Sequence, residues 1–199
     1  MIERFELSVS ALTYEDKNSI SWGAVKYSRK ELTVNEFAEL VKQGHCFCHC
    51  FTTANEDFTV KEKRDENFAS ARMVFIDIDD AEMPMGEFLA RLRRKPTVAY
   101  TTPNNHTAKS GWLYRYRLCY LMEEAMTTVA DYGGTYDSIM QSIRNDIPSL
   151  GMKDNCGRKA SQQFGGNART DCEVAVSDKT YSFPDFPLQN NNASLLFFI

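Results

Sequence analysis

Apolar Phe5, Leu7 and Val9 alternate with Glu6, Ser8 and Ser10, a period of two that predicts a strand with one buried face. A polar loop follows, with Trp22 and a small basic cluster at Lys26, Arg29 and Lys30. The period then changes. Thr33 and Glu36 form a capping box, Phe37, Leu40 and Val41 share one helical face, and Gly44 is a stop signal, so a helix is predicted over 33–43. Residues 45–51 return to strict alternation, with His45, Phe47 and His49 opposite Cys46, Cys48 and Cys50, which reads as a half-buried strand. The stretch 54–67 is polar and charged, a loop carrying Lys61, Lys63 and Arg64. It delivers the chain to an apolar run at 73–76 that ends in Asp77, Asp79 and Asp80. Length and β-branched or aromatic content favour a buried strand there. On a strand, Asp77 and Asp79 share a face and Asp80 takes the other.

Beyond the acids, Pro84 suits a first helical turn, and Phe88, Leu89 and Leu92 give one side of a helix over 84–94 with a basic end at Arg93, Arg94 and Lys95. A strand is predicted over 97–101, then a loop, then the longest strand candidate at 112–121. Its alternation sets Tyr114, Tyr116, Leu118 and Tyr120 against Leu113, Arg115, Arg117, Cys119 and Leu121. Two arginines on an otherwise apolar face need a partner, because an unpaired buried charge is costly. A protein carboxylate or a ligand phosphate would serve. A helix is predicted over 128–145 despite Gly133 and Gly134, followed by a loop or strand end at 150–158 that carries Asp154 and a short strand at 172–176.

With 43% apolar and 25% charged residues over 199 positions, the chain is an ordinary globular protein with enough length for one sizeable core. We read residues 1–183 as one domain and 184–199 as a C-terminal tail. No apolar run approaches the roughly 18 residues of a membrane-spanning helix, and the first residues are unlike a signal peptide. The expectation is a cytoplasmic protein with no membrane partner, whose six cysteines stay as thiols. A structural zinc at 45–51 ranks below the plain strand, because zinc sites favour spacings such as CxxC. The net charge of −4 argues against a basic nucleic-acid coat and leaves room for a local basic groove. No GxxxxGK segment is present, which excludes a Walker-type motor.

Two carboxylates two residues apart, roughly 7 Å along a strand, can hold one divalent cation, and oxygen-only ligands suit Mg²⁺ or Mn²⁺ better than zinc. Alone, that pattern is shared by many phosphatases and glycosyltransferases. Further along the chain come His106 in a Thr/Asn loop ahead of Arg115 and Arg117, and Asp154 ahead of a Ser-Gln-Gln-Phe-Gly-Gly segment. This order and spacing resembles the archaeo-eukaryotic primase superfamily, in particular the primase-polymerase domains of plasmid, phage and mobile-element replication proteins. The first family motif, hhDhD, is matched by residues 75–79. The second is similar to residues 100–107, with Asn104 where the family usually has Ser two before the histidine. The third, a lone acid after an apolar patch, is matched by Asp154, with Asp146 as its rival. Residues 158–167 resemble the Arg, Gln/Phe and Gly pattern that often follows that acid.

The resemblance implies an α+β fold, with an RRM-like catalytic sheet, flanking helices and a small N-terminal αβ unit. It implies a DNA-dependent primase/polymerase of a mobile-element replication protein, which makes or extends primers on single-stranded DNA from NTP or dNTP. A replicative helicase is an implied partner. Asp77, Asp79 and Asp154 would carry catalysis and hold Mg²⁺ or Mn²⁺, while His106, Lys109, Arg115 and Arg117 would bind the nucleotide. Trp112 is the aromatic best suited to stack a base. Three rivals stand beside this reading. One is a phosphohydrolase of the haloacid dehalogenase type, for which Ala81 is the wrong residue. Another is a DxD glycosyltransferase, whose sugar-nucleotide fold nothing nearby suggests. The last is an inactive primase-like module that binds DNA or recruits a helicase, against which the preserved acids argue.

Overall fold

The alternating start forms β1 (Phe5–Thr13), with Phe5, Leu7 and Val9 buried and Glu6 exposed. It pairs antiparallel with β2 (Tyr27–Leu32), which occupies the end of the stretch read as loop. Only Tyr27 and Leu32 of β2 are buried and its four middle residues are polar, so the strand carries almost no period-two signal. The helix α1 (Val34–Lys42) starts on the Thr33–Glu36 capping box and ends before Gly44, whose φ is +82°. Next come β3 (His45–Cys48), β4 (Cys50–Phe51) and β5 (Asp57–Phe58). The acids lie on β6 (Phe68–Ala81), followed by α2 (Met85–Arg91), β7 (Val98–Thr101), β8 (Tyr114–Met126), α3 (Val129–Asp146), β9 (Phe164–Gly165) and β10 (Val174–Val176). This computed structural model describes residues 4–53, 57–149 and 155–186.

The fold is α+β, built on two antiparallel five-stranded sheets ordered β5-β2-β1-β3-β9 and β10-β7-β8-β6-β4. In the second sheet, β8 lies between β6 and β7, the order of an RRM-like β-α-β-β unit. The last strand, β10, joins beside β7, and β4 covers the far side of β6. The first sheet with α1 makes the N-terminal αβ unit.

Between the sheets, Leu7, Val9 and Phe47 meet Met73, Phe75, Cys119 and Leu121, with Phe37 and Val41 of α1 closing the layer. On the other face of the second sheet, Val74, Ile76, Ile78 and Leu118 pack on Phe88 of α2 and on Tyr136, Ile139 and Ile143 of α3. β6 is therefore buried on both faces, which is why its sequence reads as a continuous apolar run rather than an alternating one.

Residues 45–51 are buried on both faces rather than half-buried, and the topology gives the reason. β3 pairs with β1 and β9 of the first sheet, while β4 pairs with β6 of the second, so the segment crosses between sheets at His49. Cys46, Cys48 and Phe51 fill an outer cluster with Tyr27 and Phe58. All six cysteines are free thiols. At the other end of the described chain, Phe186 is buried against Tyr120 and Tyr181. Among the described residues no helix is long and apolar enough to cross a membrane.

Candidate functional site

The antiparallel register of β6 and β8 sets Asp77 opposite Arg117. Strand alternation then puts Asp79 and Arg115 on the same face, the face that is apolar further along both strands. Both arginines find protein carboxylates. Arg117 is 8% exposed, and its Nε donates to Asp77 Oδ1 at 2.6 Å. Its Nη1 donates to the Tyr100 hydroxyl at 2.8 Å and to the Gly165 carbonyl at 2.9 Å, and its guanidinium lies over the Phe164 ring at 5.0 Å. Burial opposes the charge on Arg117, but Asp77 and Tyr100 more than offset it and hold its pKa above the ordinary arginine value. Removing one partner of such a pair costs about 3–5 kcal/mol.

Arg115 is bound by Asp80 Oδ1, 2.6 Å from Nη2, and lies 3.7 Å from Asp79 Oδ1. Simple alternation sends Asp80 to the opposite face. The register slips between Ile78 and Ala81, and Asp80 adopts φ +58°, so this irregularity turns the carboxylate back toward Arg115. A non-glycine residue held in the left-handed region is a local cost that the surrounding structure must support.

The turn at Cys156–Arg158 closes on the acids from the side of α3. Cys156 Sγ is 3.5 Å from Asp77 Oδ2. Gly157 permits this approach, since a Cβ there would lie 2.6 Å from the Phe75 carbonyl, and its own carbonyl accepts from the Tyr132 hydroxyl at 2.6 Å.

A cavity of about 430 Å³ opens over this face. Asp77, Asp79, Arg115, Arg117 and Cys156 form one wall, and Thr102, Pro103 and Asn104 form the rim. Tyr14, Ile20, Trp22 and Lys63, all earlier in the chain than the acids, complete the lining together with residues of the 161–166 segment. That segment is pinned close to its neighbours: Gly166 N–H donates to the His45 carbonyl at 2.7 Å, and a Cβ on Gly166 would lie 2.5 Å from the Val41 carbonyl.

Of the expected site residues, Asp77, Asp79, Arg115 and Arg117 come together in the cavity. His106 and Lys109 do not line it. His106 is exposed at φ +46°, stacked on Tyr114 with ring centroids 4.6 Å apart and an interplanar angle of 6°, and Lys109 donates to Asn18 Oδ1 at 3.2 Å. Asp154 lies outside the described residues. Its rival Asp146 ends α3 on the helical side of the second sheet, where its carboxylate accepts from the Arg93 backbone N–H at 2.9 Å. Among the described residues no three His, Cys, Asp or Glu side chains converge as a metal group; Asp77 and Asp79 supply two hard oxygen-donor side chains, a set that suits Mg²⁺ or Mn²⁺.

Gln163 comes from the 158–167 segment whose pattern resembles the family's, Lys63 and Trp22 come from stretches read only as polar loops, and Tyr14 joins the site without any sequence signal. Lys63 is 6% exposed, its Nζ donates to the Ser161 carbonyl at 3.0 Å, and burial lowers its pKa. Gln163 is oriented by the Tyr27 hydroxyl, which donates to Oε1 at 2.5 Å, and donates through Nε2 to the Trp22 carbonyl at 3.4 Å.

No protein-family model matches the chain, and no curated protein matches it. Among solved structures, the AEP domain of the cyanophage S-2L primase-polymerase is similar, with a TM-score of 0.47 and 11% sequence identity over 90% of this chain and 86% of that one.

Proposed function

We propose that the cavity is the nucleotide site of a DNA-dependent primase/polymerase that transfers nucleotides on a single-stranded template. One observation carries this reading. Two carboxylates of one strand and two arginines of its neighbour share one wall of a cavity of small-molecule size, and their order along the chain resembles that of the primase superfamily.

Asp77, Asp79 and Asp154 would hold Mg²⁺ or Mn²⁺, whose chemistry there is to activate an attacking 3′-hydroxyl and to offset charge on the leaving phosphates. Asp154 stays in the proposal as the third acid, and Cys156, two positions on, contacts Asp77. Arg117 acts by positioning. It is enclosed by Asp77, Tyr100 and Gly165, so it fixes the carboxylate before any ligand arrives. Arg115 is less enclosed, with its side chain 25% exposed, and can turn from Asp80 to a phosphate oxygen. His106 and Lys109, on the loop beyond the rim, would meet the nucleotide or the template outside the cavity lining. A replicative helicase remains the proposed partner for unwinding.

An inactive DNA-binding module is the second reading, and the Asp77–Arg117 pair favours it because it satisfies one acid from within the protein. Nucleotide binding with Mn²⁺, followed by primer synthesis on single-stranded DNA, separates the two. Incorporation is expected from the parent and should fall to background in Asp77→Asn/Asp79→Asn. A chain that binds nucleotide no better with Mn²⁺ than with EDTA, or a double variant as active as the parent, ends the catalytic reading. Release of phosphate from a monoester would move the assignment to a phosphohydrolase.

A further inference from the structure

Lys63 is the buried cation of the cavity that the protein does not neutralise. Three cations line the space, Lys63, Arg115 and Arg117, against two carboxylates, Asp77 and Asp79. Arg117 is enclosed with Asp77, and Arg115 rests on Asp80 with Asp79 nearby. Lys63 lines the same cavity beside Tyr27 of the first sheet: its Nζ donates to the Ser161 carbonyl and lies 5.7 Å from the centre of the Tyr27 ring. Among the described residues it forms no ion pair. The thiol that acts on its charge, Cys48, is itself driven toward the neutral form by burial. A lysine only 6% exposed with no carboxylate partner holds its charge at a desolvation cost, which an anionic ligand would offset. A chain of net charge −4 has carboxylates in ample number to supply such a partner, and none is paired with Lys63 among the described residues.

We propose that Lys63 is an anion-binding residue and that its partner is the polyphosphate tail of a nucleoside triphosphate, held in the cavity that Asp77 and Asp79 also line. This rests on the nucleotide reading above and deepens it, by assigning the tail to a residue of the N-terminal unit instead of to His106 or Lys109. A free polyphosphate is favoured over a nucleic-acid backbone because Lys63, only 6% exposed, lines a cavity of about 430 Å³, a small-molecule size. The ligand would bridge the two sheets, with the acids on the second and the ammonium beside the first.

The test is calorimetric titration of the full chain with inorganic tripolyphosphate in EDTA, so that the aspartates contribute no metal, alongside a separate titration with a nucleoside triphosphate and Mn²⁺. The parent is expected to bind tripolyphosphate, Lys63→Met to weaken it about 10- to 100-fold, the loss expected for a charge-assisted contact, and Lys63→Arg to keep most of it. Lys63→Gln gives a second uncharged variant should Lys63→Met fold poorly. If the uncharged variants bind tripolyphosphate as well as the parent, or if the parent binds Mn²⁺-nucleotide but no tripolyphosphate, the assignment to Lys63 is overturned and the nucleotide reading survives. If Lys63-dependent tripolyphosphate binding occurs and no nucleotide binds, the nucleotide reading fails and with it the identity of the tail. If only a single-stranded oligonucleotide loses affinity in Lys63→Met, the ligand is a backbone phosphate and the proposal is wrong.

Discussion

His49 is a histidine only 1% exposed and set among aromatic rings. Neither ring nitrogen has a hydrogen-bond partner among the described residues, and the ring packs 4.4 Å from Tyr132 and 5.8 Å from Phe75. Burial, with the nearby Lys63 charge adding to it, pulls its pKa down to about 3. The neutral ring is thus favoured in the folded state, while the unfolded chain takes up a proton near the ordinary histidine pKa of about 6.5. The unfolded state binds more protons between those two values, so stability is full above about pH 6.5 and falls as the pH is lowered toward 3. One such group contributes a slope of about 1.4 kcal/mol per pH unit. Denaturant unfolding at pH 7 and pH 5 is expected to show His49→Leu losing less stability than the parent over that interval. Equal losses would mean that His49 takes up its proton in the fold. In the sequence His49 was legible as one alternating position among seven, but its isolation was not, because only the crossing between sheets seals it off. The Asp77/Asp79 face was legible from period two alone. Asp80 was not, because a bulge breaks the period.

Two glycines separate packing from propensity at the level of the element. Gly134 in α3 has open space where a Cβ would go, so Gly134→Ala should stabilise the protein by about 0.5–1 kcal/mol through helix propensity. Gly157 has the Phe75 carbonyl at 2.6 Å and the Tyr136 ring at 3.0 Å from the same position. Gly157→Ala should cost about 1–3 kcal/mol by overpacking, and it should also weaken Mn²⁺-nucleotide binding, since the shifted turn carries Cys156 away from Asp77. Thermal unfolding and nucleotide titration of both variants check this; a Gly157→Ala protein as stable as the parent would show that the turn is free to move. Helices were the most legible elements, because a capping box and a 3.6-residue stripe are local signals, and α1 and α3 match them closely. β2 and β5 were hidden, since polar strands in the outer sheet need little apolar pattern once β1 supplies their partner.

The molecule as a whole has an acidic balance and a cavity lined by three cations and two carboxylates, so the proposed template would be held by local contacts instead of by overall charge. Trp112 is 62% exposed at φ +64°, 5.8 Å from the His106 ring that stacks on Tyr114. An outward indole beside a stacked ring pair is suited to an unpaired base. Trp112→Ala is expected to weaken single-stranded DNA binding by about 1–3 kcal/mol while leaving the melting temperature and the salt dependence nearly unchanged. Titration at two salt concentrations measures both, and a loss confined to low salt would assign Trp112 a role in phosphate contact instead.

Sequence periodicity alone determined the three helices, the acid-bearing strand, the arginine strand and the faces on which Asp77, Asp79, Arg115 and Arg117 lie, because all of these follow from residues a few positions apart. Only the tertiary structure decided that Asp77 meets Arg117, that His106 and Lys109 stay outside the lining of the cavity, and that Lys63 joins that lining. Each of those depends on strand register or on the approach of two sheets across tens of residues of chain, distances over which local spacing carries no geometric information.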